Sequence, residues 1–154
     1  MRTATILGLI GLVVAGGVVT AAVIDDPAGT TRRTTVTRVV DGDTVEIASG
    51  QHVRLIGVDT PERGACGYDA STKAMRRMVQ GRRVVLVDPG SVQDRDTYGR
   101  LLRFVDVAGR DAGLAQIRSG LATARYDSRD GFDPHPREDQ YHLADRHHDG
   151  PCDR

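Results

Sequence analysis

Three runs of strand character joined by short turns, one amphipathic helix, and two further strands with a helix behind them predict an α+β chain that is mainly β. Five short strands with a helix interposed after the third fit a small five-stranded barrel of the OB type, with two or three helices. The 154 residues suit one such domain. No Trp, two Phe and four Tyr leave the core to aliphatic side chains.

The elements follow in order. Thr34 to Val40 is rich in Thr and Val and reads as the first strand. Asp41-Gly42 is a tight-turn dipeptide. Thr44 to Ala48 alternates, with Val45 and Ile47 on one face. Ser49-Gly50 turns the chain into a third strand, Gln51 to Val58. Asp69 to Gln80 is helical by its stripe of Ala70, Ala74, Met75, Met78 and Val79, with Asp69 as N-terminal cap and Gly81 as stop. Arg82 to Asp88 is a fourth strand, Pro89 to Thr97 a polar loop and Gly99 to Val107 a fifth strand. Asp111 caps a second helix that ends at Gly120, with Leu114 and Ile117 inward. A third helix of thin apolar face starts near Pro136 and includes Tyr141 and Ala144.

An uncharged run from Thr3 to Ile24 precedes the domain. Its length and small residues admit two readings, a signal peptide cleaved near Ala21 or Ala22 and an anchor helix that tethers the chain to a membrane. Both place the domain outside the cytoplasm, after a linker over 25–31. In that compartment the even cysteine count favours a bridge between Cys66 and Cys152.

The 21 basic and 21 acidic residues cancel, so no whole-chain basic excess marks a nucleic-acid partner. The parts are unlike, however. Residues 32–126, the expected domain, carry 16 basic and 11 acidic groups, whereas residues 127–154, the expected acidic tail, carry 4 and 8.

Within the domain, charge collects at one end of the meander. Pairing about Ser49-Gly50 sets Asp43 opposite Ile56, and Asp59 lies three residues further on. Asp41, Asp43, Asp59 and Glu62 therefore converge, with Arg54 beside them. Carboxylates so crowded repel unless a cation sits among them. Ca²⁺ suits an oxygen set, and Zn²⁺ suits it less, since no His or Cys is in the cluster. His142, His147 and His148, near Asp145 and Cys152, match no closed zinc spacing and read as solvated. Arg76-Arg77 and Arg82-Arg83 read equally as a nucleic-acid track and as a solvated face.

Three separated motifs carry a resemblance. Asp41-Gly42-Asp43-Thr44-Val45, then Arg54-Leu55-Ile56-Gly57-Val58-Asp59-Thr60-Pro61-Glu62, then Asp96-Thr97-Tyr98-Gly99-Arg100-Leu101-Leu102 are similar, in order and spacing, to the staphylococcal nuclease (thermonuclease) family. The match runs from about residue 34 through Gly120-Leu121-Ala122 to Tyr126. The resemblance implies a monomeric Ca²⁺-dependent nuclease acting on DNA and RNA, preferring single strands, that cuts the P–O5′ bond and leaves 3′-phosphate ends. It implies Asp43, Asp59 and the backbone carbonyl of Thr60 as Ca²⁺ ligands, with Asp41 a nearby acid. It implies Glu62 as general base, Arg54 and Arg100 on the scissile phosphate, and Tyr126 against the substrate, while Tyr98 reads equally as a substrate-stacking residue of the site and as a partly buried structural Tyr. Two family features are replaced. Thr97 stands where the family has Lys, and Ser128 where it has a second Tyr, which weakens the grip on a terminal nucleotide. The competing reading is a catalytically silent OB-type module that binds nucleic acid. A third, an envelope-anchored interaction domain, rests on the hydrophobic N-terminus alone.

Overall fold

The structure is a computed structural model that describes residues 30–146 and Cys152. The export segment, nearly all of the linker, His147 and His148 lie outside the described residues. Among the described residues no helix is long and apolar enough to cross a membrane.

Five strands form the expected barrel: β1 (Thr31–Val39), β2 (Thr44–Ile47), β3 (His52–Leu55), β5 (Arg83–Val87) and β6 (Leu101–Val107). Two-residue strands are added at β4 (Val58–Asp59), β7 (Arg110–Asp111) and β8 (Thr123–Ala124). β1 serves two partners. Its first half pairs with β5, Thr31 opposite Val87, and its second half with β2, Val39 opposite Val45. The register slips by one residue between Val36 and Arg38. Such a bulge adds a residue to one strand, bends it and lets it pass from one partner to the next. Parallel pairing of β3 with β6, Val53 opposite Leu101, closes the barrel, so its two end strands have no open edge. Aliphatic side chains fill it, with Val36, Val45, Ile47 and Val53 fully buried.

The β2–β3 register differs from the sequence expectation by one residue. Thr44 faces Arg54 and Val45 faces Val53, so Asp43 lies opposite Leu55, whose N–H donates to the Asp43 carbonyl at 2.9 Å. The loop has three residues, with Gly50 at φ 79°, and is therefore centred on Ser49.

Helix α1 (Tyr68–Val79) starts one residue earlier than expected. Its N-cap is Gly67 rather than Asp69, which sits in the first turn, where a carboxylate favours the helix dipole. Its buried face is Ser71, Thr72, Met75 and Val79, and Ala70 is exposed. Polar groups reach the interior because the Gln116 side-chain amide donates to the carbonyls of both Ser71 and Gly42, at 2.9 and 2.8 Å. Gln116 belongs to α2 (Ala112–Arg118), where Asp111 caps as expected, accepting from Gly113 and Leu114 N–H.

Residues 127–146, acidic in composition, pack on the barrel. A 3₁₀ turn (Ser128–Asp130) leads to α3 (Glu138–Asp145). Tyr141 is 1% exposed and its hydroxyl donates to Asp111 Oδ2 at 2.7 Å. Arg137 makes a two-pronged bond to Asp106 at 2.7 and 2.9 Å and lies 4.3 Å over the Phe104 ring. One buried aromatic and one planar cation do here what a broad apolar stripe does elsewhere. Cys66 and Cys152 are joined by a disulfide with a Cα separation of 5.9 Å, closing a span of 86 residues.

His135 is buried edge-on to Phe104 and Tyr141, at centroid distances of 5.5 and 5.6 Å. Burial holds its imidazole below the ordinary value, outweighing the upward pull of Glu138 and Asp127. The unfolded chain therefore takes up this proton first, at about pH 6.5. The stabilisation from neutral His135 is full above that pH and is lost as pH falls toward the lower folded value. His135→Phe should flatten this part of the acid limb in thermal melts between about pH 7.5 and 5. An unchanged limb would assign the loss to other groups.

Candidate active site

The expected residues meet in one cleft of about 480 Å³, lined by Asp41, Asp43, Arg54, Asp59, Glu62, Tyr98, Arg100 and Tyr126 among others. Asp43 comes from the β1–β2 loop, Arg54 from β3, Asp59 from β4 and Arg100 from the residue before β6. Closing the barrel by β3–β6 pairing sets Arg54 beside Leu102 and so brings the two arginine segments together.

Asp43 is 6% exposed. Its Oδ2 accepts from both Thr60 N–H and Thr60 Oγ1, at 2.9 and 2.8 Å, and its Oδ1 accepts from Thr44 Oγ1 at 3.1 Å. Two glycines permit this packing. A Cβ at Gly42 would lie 2.6 Å from Ser71 Oγ and 2.7 Å from Thr60 Oγ1, so Asp41-Gly42 is a point of close approach rather than a left-handed turn. Gly57, in the link from β3 to β4, has φ 71°, and a Cβ there would stand 2.3 Å from His135 Nε2.

Arg54 is the hub, with a side chain 12% exposed. Its Nε pairs with Asp43 Oδ1 at 3.2 Å and its Nη2 faces Asp59 Oδ1 at 3.6 Å. Its Nη1 donates to the carbonyls of Leu55 and Val58 at 2.9 and 2.6 Å. Burial raises the Asp43 carboxyl above the usual range; Arg54 pulls it down and Asp41 adds to the rise. Asp41 also accepts from Asp43 N–H at 3.2 Å.

Arg100 enters from the other side. Its Nη1 donates to Thr44 Oγ1 at 3.4 Å, so Thr44 links it to Asp43. Asp96, which has no role in the sequence expectation, positions it. Asp96 accepts from Arg100 Nε at 2.6 Å, from Arg100 N–H at 2.9 Å and from Tyr98 N–H at 3.0 Å. Burial would raise the Asp96 carboxyl, but these bonds hold it below its ordinary value. An Asp four residues before an Arg, across Tyr-Gly, is the signal that could have found it. Tyr98 is 84% exposed with Arg100 5.3 Å from its ring centroid. Glu62 is exposed, and among the described residues its carboxylate makes no hydrogen bond or ion pair.

Tyr126, at φ 61°, donates its hydroxyl to Asp59 Oδ1 at 3.3 Å. Burial and the Asp59 charge raise its phenol, which keeps that proton in place. Phe132, 56% exposed, stands edge-on to it at 5.5 Å on the wall of the cleft. Sequence reasoning does not find Phe132, because no periodic pattern marks a loop aromatic.

Among the described residues no His, Cys or Met lines the cleft, and its carboxylates offer hard oxygens. The Asp43 and Asp59 carboxylates that line it are oxygen donors of the kind Ca²⁺ takes, while Thr60 is buried and is not among the lining residues. A carboxylate whose ionised form is disfavoured by burial and by an acidic neighbour also gains from a nearby cation. These residues fit the ion. Elsewhere Asp127, His135 and Glu138 bring ligand atoms within 4.8 Å of one another. There Asp127 bonds His142 Nε2 at 2.5 Å and Arg129 N–H at 2.9 Å, and Glu138 bonds Ser128 Oγ at 2.7 Å. His142, expected to be solvated, is thus part of the tie between the C-terminal segment and the barrel.

Residues 52–146 match the family model described as staphylococcal nuclease homologue, a span that holds Arg54, Asp59, Glu62, Arg100 and Tyr126 and begins after Asp41 and Asp43. The chain is 34% identical over 102 residues to the endonuclease YncB of Bacillus subtilis, covering 60% of this chain and 47% of that protein. It is equally similar to the SPbeta prophage-derived endonuclease YokF of the same organism, of which it covers 34%. With the thermonuclease of Staphylococcus intermedius it shares 30% identity over 118 residues, 70% of this chain and 64% of that one. The chain thus spans between a third and a half of the length of the two Bacillus proteins. By the family match over more than half its length, the chain belongs to the staphylococcal nuclease homologues.

Proposed function

We propose that this chain is an extracytoplasmic Ca²⁺-dependent endonuclease that hydrolyses phosphodiester bonds of DNA and RNA. The observation that carries the reading is the Arg54 guanidinium, paired to Asp43 at 3.2 Å and facing Asp59 at 3.6 Å in a cleft that also holds Arg100 and Glu62.

Each residue has a task. Asp43, Asp59 and the Thr60 carbonyl hold the ion, and Asp41 orients Asp43 through its N–H. Bound there, Ca²⁺ supplies Lewis-acid charge to a phosphate oxygen. Glu62, exposed on the cleft wall and unpaired among the described residues, takes the proton of the attacking water. Arg54 and Arg100 present planar forks to the phosphoryl oxygens as charge builds on them, a geometry a lysine does not offer. Tyr98 and Tyr126 lie on either side as surfaces for the sugar and base. The disulfide, the family and the uncharged N-terminal run support action outside the cytoplasm, as a secreted or membrane-tethered monomer.

The test is to incubate the purified protein with denatured DNA and with RNA, in Ca²⁺ or in a Ca²⁺ chelator. Cleavage in Ca²⁺ alone, leaving 3′-phosphate ends, is expected. Binding of single strands by folded protein without any cleavage would instead establish the silent binding module.

A further inference from the structure

A second groove, of about 650 Å³, runs along α1 and is lined by Arg63, Lys73, Arg76 and Arg77. Lys73 is the sole lysine of the chain. Lys73, Arg76 and Arg77 fall at spacings of three and four residues, so they share one helix face and cover ~6 Å of its axis. Among the described residues none of these four cations has an ion-pair partner, and Asp69 is the one acid on the wall. Three other surface arginines are neutralised locally, Arg38 by Glu46, Arg125 by Asp130 and Arg129 by Asp139, whereas the unpaired ones outside the groove, such as Arg110 and Arg118, are not on α1. Tyr68 lies within the groove with Arg63 5.6 Å from its ring centroid. Thr72, a buried lining residue, has a hydroxyl with no hydrogen-bond partner among the described residues.

The groove adjoins the cleft at two places. Val40 lines the groove and Asp41 the cleft; Arg63 lines the groove and Glu62 the cleft. The acid-lined cleft and the basic groove therefore share a border at Val40–Asp41 and at Glu62–Arg63. We infer that the α1 groove is a second nucleic-acid site, which takes the phosphates of a single polynucleotide strand beyond the bond being cut. Arg76, Arg77 and Lys73 meet phosphates, and Tyr68 under Arg63 offers a stacking face. The choice of a polynucleotide as occupant rests on the nuclease reading of the cleft; the groove's affinity for it does not require cleavage.

The experiment uses the full chain and the double variant Arg76→Ala/Arg77→Ala, with both positions exposed on the helix. Binding of a long single-stranded oligonucleotide is measured against salt in chelator, where nothing is cut. The log–log slope should shrink by ~1.4, at ~0.7 for each single-strand phosphate that is no longer neutralised. In Ca²⁺, kcat/KM on the long strand should fall several-fold while hydrolysis of a dinucleotide is unchanged. An unchanged slope, or equal losses on both substrate lengths, overturns the inference. If the wild type cuts neither substrate, the reading of the cleft fails and the slope still decides the groove. Wild-type binding to anionic phosphatidylglycerol vesicles that the double variant loses, with oligonucleotide binding intact, would overturn it in favour of a membrane surface.

Discussion

Arg54→Met is expected to cost both rate and stability, and the two losses have separate origins. Removing one preorganised donor to developing negative charge typically costs about 10²–10³ in kcat. The stability loss comes from what Arg54 holds in the resting fold. Its Nη1 satisfies the Leu55 and Val58 carbonyls, and its Nε pairs with a carboxylate that is 6% exposed. Deleting one partner of a buried pair leaves the other charge uncompensated and costs about 3–5 kcal/mol. Arg54 is the main influence lowering the Asp43 carboxyl, so that carboxyl should rise further in the variant. Arg54→Lys separates the effects: it restores a charge near Asp43 but not the fork. Urea denaturation should show part of the stability recovered, while single-turnover assays on denatured DNA stay near the Met variant. Full recovery of rate by Lys would show that Arg54 acts as a point charge, and the two-pronged role would have to be given up.

The same residue shows how far the sequence can be read. Its neighbours are legible because local chemistry marks them: alternating Val45 and Ile47 locate β2, and Asp111 before an apolar pair locates α2. Asp43 and Asp59 converge as expected even though the hairpin register is off by one residue. What survives the slip is the position of Asp43 at the strand end, which a three-residue loop moves by only ~3.3 Å. The β3–β6 closure is not legible, because a parallel pairing between residues 53–55 and 101–103 leaves no local pattern. It is this pairing that brings Arg100 within reach of Thr44. Nor does composition reveal that residues 127–146 fold onto the barrel. Their attachment depends on Tyr141, Arg137 and the pair of His142 with the buried Asp127, none of which forms a stripe. Gly42 reads as a turn former in the sequence; its need is steric, and only the position of Ser71 and Thr60 shows it.

Glu62→Gln should separate chemistry from binding more cleanly than any change at Arg54. Glu62 is exposed and unpaired among the described residues, so the isosteric amide should alter stability by no more than about 0.5 kcal/mol. Gln keeps a polar group against an attacking water but cannot accept its proton, and losing a positioned general base typically costs about 10²–10⁴ in rate. Ca²⁺ affinity should hold, because Glu62 is outside the proposed ligand set of Asp43, Asp59 and Thr60. Asp43→Asn supplies the contrast: it removes one of the two ligand charges and should weaken Ca²⁺ binding along with turnover. Calorimetric Ca²⁺ titration beside single-turnover cleavage distinguishes the two variants. Near-normal turnover in Glu62→Gln would remove it as the base and turn attention to Asp41, a carboxylate that also lines the cleft outside the proposed ligand set. Weakened Ca²⁺ binding in Glu62→Gln would instead place Glu62 among the ligands. Only lost rate with intact Ca²⁺ binding and intact folding fits a base that stands apart from both the ion and the Arg54 network.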